Sequence, residues 1–333
     1  MYFFAALPEP SRLGDVLMSF LSIIFEGAPY ILIGTVLSGF IAAFLPAKLL
    51  ERLLPKNRVL STLIAGFMGL IFPVCECAVV PVVRRLLQKG LPLSCAITYL
   101  VSAPIINPIV IFSTMSAFQN VEAKAGVLGS GGMAFARVSL GYAIAVIIGL
   151  LMLRKKPAEV LKASVAAGVA KAAAETEAPA TPPFNHRLVH AMRTSMRDFL
   201  DTAMYFSIGV IITSIFNTQI DQAKVDLVAG TDWAAIPSLM GLAFVLALCS
   251  TSDAFIAAPM AAFSSAAKLA FLTFGPMLDV KLVFMYAAVF RRKFVIWLSV
   301  AMFVLVAGLA KPWTLLIDQI QPKPAAAVKT TPP

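Results

Sequence analysis

Charge is what this chain of 333 residues has least of: Asp, Glu, Lys and Arg together make 13% of it, against 59% hydrophobic residues. A water-soluble domain of that composition would expose large apolar surface, which excludes an ordinary soluble fold. Histidine is scarcer still, His186 and His190 alone, both in a polar stretch where solvated side chains are expected. No histidine stands near a cysteine in the sequence, and with no nucleophile–base pair to read, no enzyme is expected. A GxxxxGK(S/T) loop is missing, so the chain does not itself run on a nucleoside triphosphate, and no cofactor is expected. The four cysteines, Cys75, Cys77, Cys95 and Cys249, lie in apolar segments without the spacing of a disulfide framework. The start, MYFFAALPEPSR, lacks a basic segment, a short apolar centre and a small-residue cleavage site, so no processing is expected.

What is present is apolar sequence in lengths that cross a bilayer. Runs suited to a hydrocarbon core of about 30 Å recur at 13–44, 92–118, 126–153, 197–217, 268–290 and 294–317, and two more, 59–83 and 234–265, are interrupted. The net charge of +10 follows the short loops between them, the pattern that orients a membrane protein, so nucleic acid is not an expected partner. Residues 154–196, rich in Ala, Pro and charge, read as a partly helical or disordered cytoplasmic linker. The chain divides into a first transmembrane repeat at 1–153, that linker, a second repeat at 197–318 and a flexible tail at 319–333.

The two repeats echo one another. FEGAPYILIG (25–34) aligns without a gap on LDTAMYFSIG (200–209), matching Glu26 with Asp201, Tyr30 with Tyr205 and Gly34 with Gly209. Cys77 precedes Pro104 by 27 residues, as Cys249 precedes Pro276, and APIIN (103–107) is echoed by GPMLD (275–279). The basic loops suggest how the halves are oriented. Were 59–83 a full crossing, the basic segments 46–58 and 84–90 would lie on opposite sides, against the tendency of positive charge to stay inside. A hairpin turning near Cys75 removes the conflict, and 59–72 as a helix of about 21 Å reaches just past the midplane. The same argument makes 234–265 a hairpin from the other face. The expected fold is therefore an all-α polytopic membrane protein of two inverted repeats, each with three full helices plus a re-entrant or broken hairpin. Eight ordinary kinked spans are the alternative.

Ionisable groups at membrane depth are costly, about 2.5 to 3.5 kcal/mol for Asp or Arg on insertion scales. Glu26, Glu76, Arg137, Asp201, Asp253 and Asp279 nevertheless lie in apolar runs. Arg137 reads as the structural partner of a buried acid; the others, several at repeat-equivalent places, read as lining a central site. Pro73, Pro81, Pro104, Pro108, Pro259 and Pro276 free backbone carbonyls, which are tolerated at that depth only inside protein or beside a wet cavity. The polar turn CSTSDA (249–254) should face the turn at Cys75-Glu76-Cys77, so that Cys75, Cys77 and Cys249 converge where thiolates suit soft metals or metalloids. Cys95 reads as a small buried hydrophobe. Two cysteines in C-x-C do not make a metal site by themselves.

At FPVCECAVVPVVRRLLQKGLPLSCAITYLVSAPIINP (72–108), and again at CSTSDAFIAA (249–258) and GPMLDVKL (275–282), the chain resembles the ArsP/YraQ-type group of predicted permeases. The resemblance implies a multi-pass secondary transporter of the bacterial inner membrane; members of the ArsP kind export trivalent organoarsenicals, with cysteines proposed to handle the arsenic. Carried over, it singles out Cys75, Glu76, Cys77, Asn107, Cys249, Asp253, Asp279 and Lys281, to which the polar turn adds Ser250. Proton coupling would fall to Glu26, Asp201, Glu76, Asp253 and Lys281. The expected partners are a small-molecule or metalloid solute and membrane lipid, with homo-oligomerisation left open. A channel-like pore, or a membrane component of a larger transport assembly, is the alternative function.

Overall fold

A computed structural model describes residues 12–44, 55, 57–121, 128–174, 184–217, 232–260 and 262–320. Its helices are α1 (Arg12–Phe44), α2 (Arg58–Ala65), α3 (Met68–Ile71), α4 (Glu76–Gln88), α5 (Leu93–Ser102), α6 (Pro108–Ala117), α7 (Ser130–Leu151), α8 (Pro157–Val160), α9 (Ala163–Ala174), α10 (Phe184–Asn217), α11 (Asp232–Leu246), α12 (Asp253–Ala257), α13 (Ser265–Met277), α14 (Val280–Val289) and α15 (Arg292–Ile320). Among the described residues five stretches are long and apolar enough to cross a membrane: Gly14–Phe44, Ser130–Arg154, Phe184–Phe216, Ser265–Val289 and Arg292–Gln319. The protein is an all-α, multi-pass membrane protein.

The order of long helix, broken pair, broken pair, long helix occurs twice. The breaks fall where backbone chemistry demands them. The first arm stops at Phe72, because the ring of Pro73 disfavours helical geometry in the residue before it. The runs 92–118 and 268–290, expected to be continuous, are also interrupted. In the first, α5 stops before Pro104, and α6 restarts at Pro108 with Asn107 accepting from the Ile109 amide at 3.0 Å. In the second, Leu278 and Asp279 turn extended, and Asp279 accepts from the Leu282 amide at 2.7 Å to open α14. Freed carbonyls at breaks find hydroxyl donors: Tyr99 donates to Phe72 O at 3.3 Å and Tyr286 to Met277 O at 2.9 Å.

The two hairpins open toward opposite ends of α7. The start of α2 lies beside the start of α5, where Thr62 donates to Ser94 at 3.1 Å and Ser61 meets Cys95 at 3.1 Å, and α5 follows α4 by a four-residue turn. Both ends of 58–88 therefore sit together, next to Gly149 near the C-terminus of α7, a glycine with no room for a Cβ against Thr98. In the second half, Ile236 near the start of α11 shares a recess with Ser264 and Ser265, which follow α12, and the Leu128 amide just ahead of α7 donates to Ser265 at 3.2 Å. The inner helices α5 and α13 are buried along their whole length. In α1 the apolar stretch is largely exposed, the surface that lipid covers.

The second long helix starts earlier than the apolar run at 197 suggests. α10 begins at Phe184, and its 34 residues, about 51 Å of helix, exceed a hydrocarbon core by a wide margin. The polar extension carries the exposed His186 and His190, and Arg187, whose guanidinium donates to Ala43 O at 3.0 Å and lies 4.8 Å from the Phe44 ring centroid. Part of the expected linker is also packed: Val160, Leu161 and Val165 are buried. Most of the basic loop 46–58, and the acidic loop 218–231, lie outside the described residues, as does the tail beyond Ile320.

Candidate functional site

Cys75 ends the extended turn after Pro73 and stands as the N-cap of α4, which puts Glu76 in the first helical turn and Cys77 behind it, both buried. Opposite, α11 stops at Ala247, the one non-glycine among the described residues with a positive φ, 46°. A left-handed residue there is unfavourable unless its surroundings hold it, and its carbonyl is held: Lys281 Nζ donates to Ala247 O at 2.8 Å. The chain then turns on Cys249, whose carbonyl accepts from the amides of Ser252 and Asp253 at 2.9 and 3.0 Å.

These two turns meet. A small pocket is lined by Cys75, Glu76, Cys77, Cys249, Glu26 and Lys281, together with Tyr30, Phe206 and Ala247. The expected convergence of cysteines from both halves is thus seen in the geometry, and Cys77 and Cys249 share one cavity. Cys95 lies apart, buried against Ser61, consistent with a packing role. Among the described residues no group of three His, Cys, Asp or Glu side chains is arranged to hold a metal ion. The thiols line a space without forming a preformed metal cage.

Charge in the pocket is unevenly balanced. Lys281 Nζ lies 3.5 Å from both Glu76 Oε1 and Asp279 Oδ2, so two carboxylates face one ammonium. Glu76 Oε2 accepts from Ser250 at 2.9 Å, while Glu76 Oε1 and Asp279 Oδ2 have no hydrogen-bond donor. Buried carboxylate oxygens left short of donors are costly, and a trio with a formal excess of one negative charge favours a cationic group nearby. Glu26, on α1, accepts from Ser252 at 2.9 Å and completes the acidic rim.

Other expected site residues stand behind the pocket wall or away from it. Asn107 and Asp279 cap α6 and α14 at equivalent breaks. Asp253 is held by Arg137 at 2.6 Å, and the same guanidinium donates to Thr114 Oγ1 at 2.8 Å and Ser250 O at 3.1 Å, so Arg137 fixes the second turn, in keeping with the structural role expected of it. Asp201 does not meet Glu26. It lines a different pocket, is 62% exposed, and pairs with Arg84 at 3.4 Å. Matching places in a repeat do not bring two residues together when the second copy faces another cavity.

Sequence reasoning misses Phe206 and the Ala247 carbonyl, which look like ordinary helix interior in the chain. It also misses Asp198, 2% exposed, which takes a bidentate pair from Arg85 at 2.7 and 2.9 Å and accepts from Ser38 at 2.7 Å. Tyr30 has a signal in its match with Tyr205.

Comparison with known proteins agrees with a membrane permease. Residues 12–310 match the ArsP_1 family, described as "Predicted permease". The chain is 35% identical over 297 residues to "UPF0718 protein YcgR" of Bacillus subtilis (strain 168), covering 86% of this chain and 92% of that protein. It is 35% identical over 288 residues to the "Putative two-component membrane permease complex subunit" of Streptococcus mutans serotype c, covering 86% of this chain and 91% of that one. No solved structure matches. With nearly the whole described chain inside the match and two relatives covered almost end to end, this protein belongs to the ArsP_1 predicted permease family.

Proposed function

We propose that the protein is an alternating-access permease of the bacterial inner membrane that exports a soft, thiophilic solute, a trivalent arsenical or related metalloid, in exchange for protons. The observation that carries this is the meeting of Cys75, Cys77 and Cys249 with Glu76 and Lys281 in one pocket between two broken hairpins. Thiols offer soft ligands to a trivalent metalloid. Spare acceptor capacity on Glu76 and Asp279 supplies a place for the counter-transported proton. We read the hairpins as inverted repeats, since they open toward opposite ends of α7, which is how alternating access is built in transporters with discontinuous helices. The basic end, with Arg154, Lys155, Lys156 and the packed linker, is then cytoplasmic.

Uptake of a trivalent arsenical by everted vesicles tests the proposal. Flux should saturate, survive removal of ATP and stop with a protonophore. Flux that is linear in concentration and indifferent to the gradient would favour a pore. A second reading, a subunit that works beside another membrane component, rests on the name of the Streptococcus mutans relative; it predicts no flux from this chain reconstituted alone.

A further inference from the structure

Beyond the thiol pocket, toward the basic end, lies a second, shallow recess whose lining includes Arg84, Asp198, Asp201, Thr202, Tyr205 and Met285. The same three helices line both spaces. On α4 the thiol pocket takes Glu76 and Cys77 and the second recess takes Pro81 and Arg84; on α14 it is Lys281 and then Met285; on α10 it is Phe206 and then Tyr205. From Cys77 to Arg84 is about 10 Å along the helix, so the two recesses are stacked along one groove.

Two sets of contacts border the outer recess. The first is ionic: Arg84 pairs with Asp201 at 3.4 Å, and Arg85 grips the buried Asp198 at 2.7 Å, stapling α4 to α10. The second is the packed part of the linker, the strap 157–174. Its Leu161 forms an isolated antiparallel bridge with Phe290, the Lys162 amide donates to Val289 O at 3.0 Å, and the Arg291 amide donates to Val160 O at 2.9 Å. The ammonium of Lys162 lies 5.9 Å over the ring of Tyr205, which lines the recess, and Gly168 on α9 faces Gln88 at the end of α4. The strap thus runs from the end of α14, past the recess, to the end of α4.

We propose that the strap 157–174 is a lid at the edge of the cytoplasmic mouth of the transport route, with the Arg84–Asp201 and Arg85–Asp198 pairs as a latch beside it. The assignment rests on the permease reading for what passes through the groove, but not for the closure itself. Two backbone hydrogen bonds, Lys162 N to Val289 O and Arg291 N to Val160 O, tie the strap to the end of α14, and its Val160, Leu161 and Val165 are buried, so opening exposes that apolar surface.

The test uses the full-length chain with its four cysteines changed to Ser and Thr202→Cys as reporter in the outer recess. Labelling by a membrane-impermeant maleimide is timed in inside-out and right-side-out vesicles. Leu161→Asp, which puts a charge under the lid, should speed labelling about tenfold or more in inside-out vesicles only. Lys162→Ala and Asp201→Asn should speed it less, and the exposed strap substitution Glu159→Ala should leave it unchanged. Equal rates in all variants, in proteins that elute from size exclusion as the parent does, would overturn the lid, as would labelling only from the opposite side. Should Leu161→Asp fail to fold, the two milder variants decide. A strap that controls labelling in a chain whose parent moves no arsenical would leave the lid standing and remove the solute assignment.

Discussion

The two hairpin turns place acids at related points and treat them differently. At the second turn, Asp253 is held by Arg137 at 2.6 Å, and that guanidinium also donates to Thr114 and Ser250, though Arg137 Nε and Asp253 Oδ1 have no hydrogen-bond partner. At the first, Glu76 lies 3.5 Å from a lysine shared with Asp279, takes one hydroxyl, and lines a pocket. A planar guanidinium holds one geometry, whereas an ammonium is a point charge on a flexible stem. One turn is therefore built as a fixed wall and the other as a surface that can change its partners. On the proposed function, the difference marks Asp253 as scaffold and Glu76 as the working group.

Breaking the fixed turn should have the largest effect. Arg137→Ala leaves Asp253 buried and unpaired and should destabilise the fold by about 3–5 kcal/mol, seen as lost yield and a lower unfolding temperature in detergent. The double variant with Asp253→Ala should recover part of it. Glu76→Gln keeps the shape of the other turn and should change stability far less while abolishing proton-driven flux; equal stability losses from Arg137→Ala and Glu76→Gln would erase the distinction. Next comes the packing behind the working turn. A Cβ on Gly209 would sit 2.5 Å from Lys281 Cα, so Gly209→Ala should cost about 1–3 kcal/mol and lower transport through displacement of Lys281. The smallest effect is expected at Asp201→Asn, where an exposed pair with Arg84 is worth under about 1 kcal/mol, so the unfolding temperature should hardly move.

The framework behind this contrast is partly legible in the amino-acid sequence. Pro73 announces the break at Phe72, and Pro104 and Pro108 flank the one between α5 and α6, because a ring that removes a donor and restricts its neighbour acts locally, whereas Pro276 lies inside α13 just ahead of its end. The repeat points to the meeting of Cys75 and Cys77 with Cys249. Which cation each acid takes is not legible, since Lys281 and Arg137 are chosen by tertiary approach and nothing in their spacing to Glu76 or Asp253 encodes it. The Arg85–Asp198 pair is hidden for a related reason: Asp198 stands in RTSMRDFLD, a stretch whose charges look solvated until α4 covers them. The early start of α10 escapes an apolar-run search, which ends where a helix leaves the lipid although the helix itself continues.

The central claim is that thiols from both halves form one solute site. Titration of the purified protein with a monoaryl trivalent arsenical, compared across Cys75→Ser, Cys77→Ser, Cys249→Ser and Cys95→Ser, addresses it most directly. The account predicts affinity reduced about tenfold or more by each of the first three and unchanged by the fourth. Undiminished binding in Cys249→Ser, or loss confined to Cys95→Ser, would contradict it.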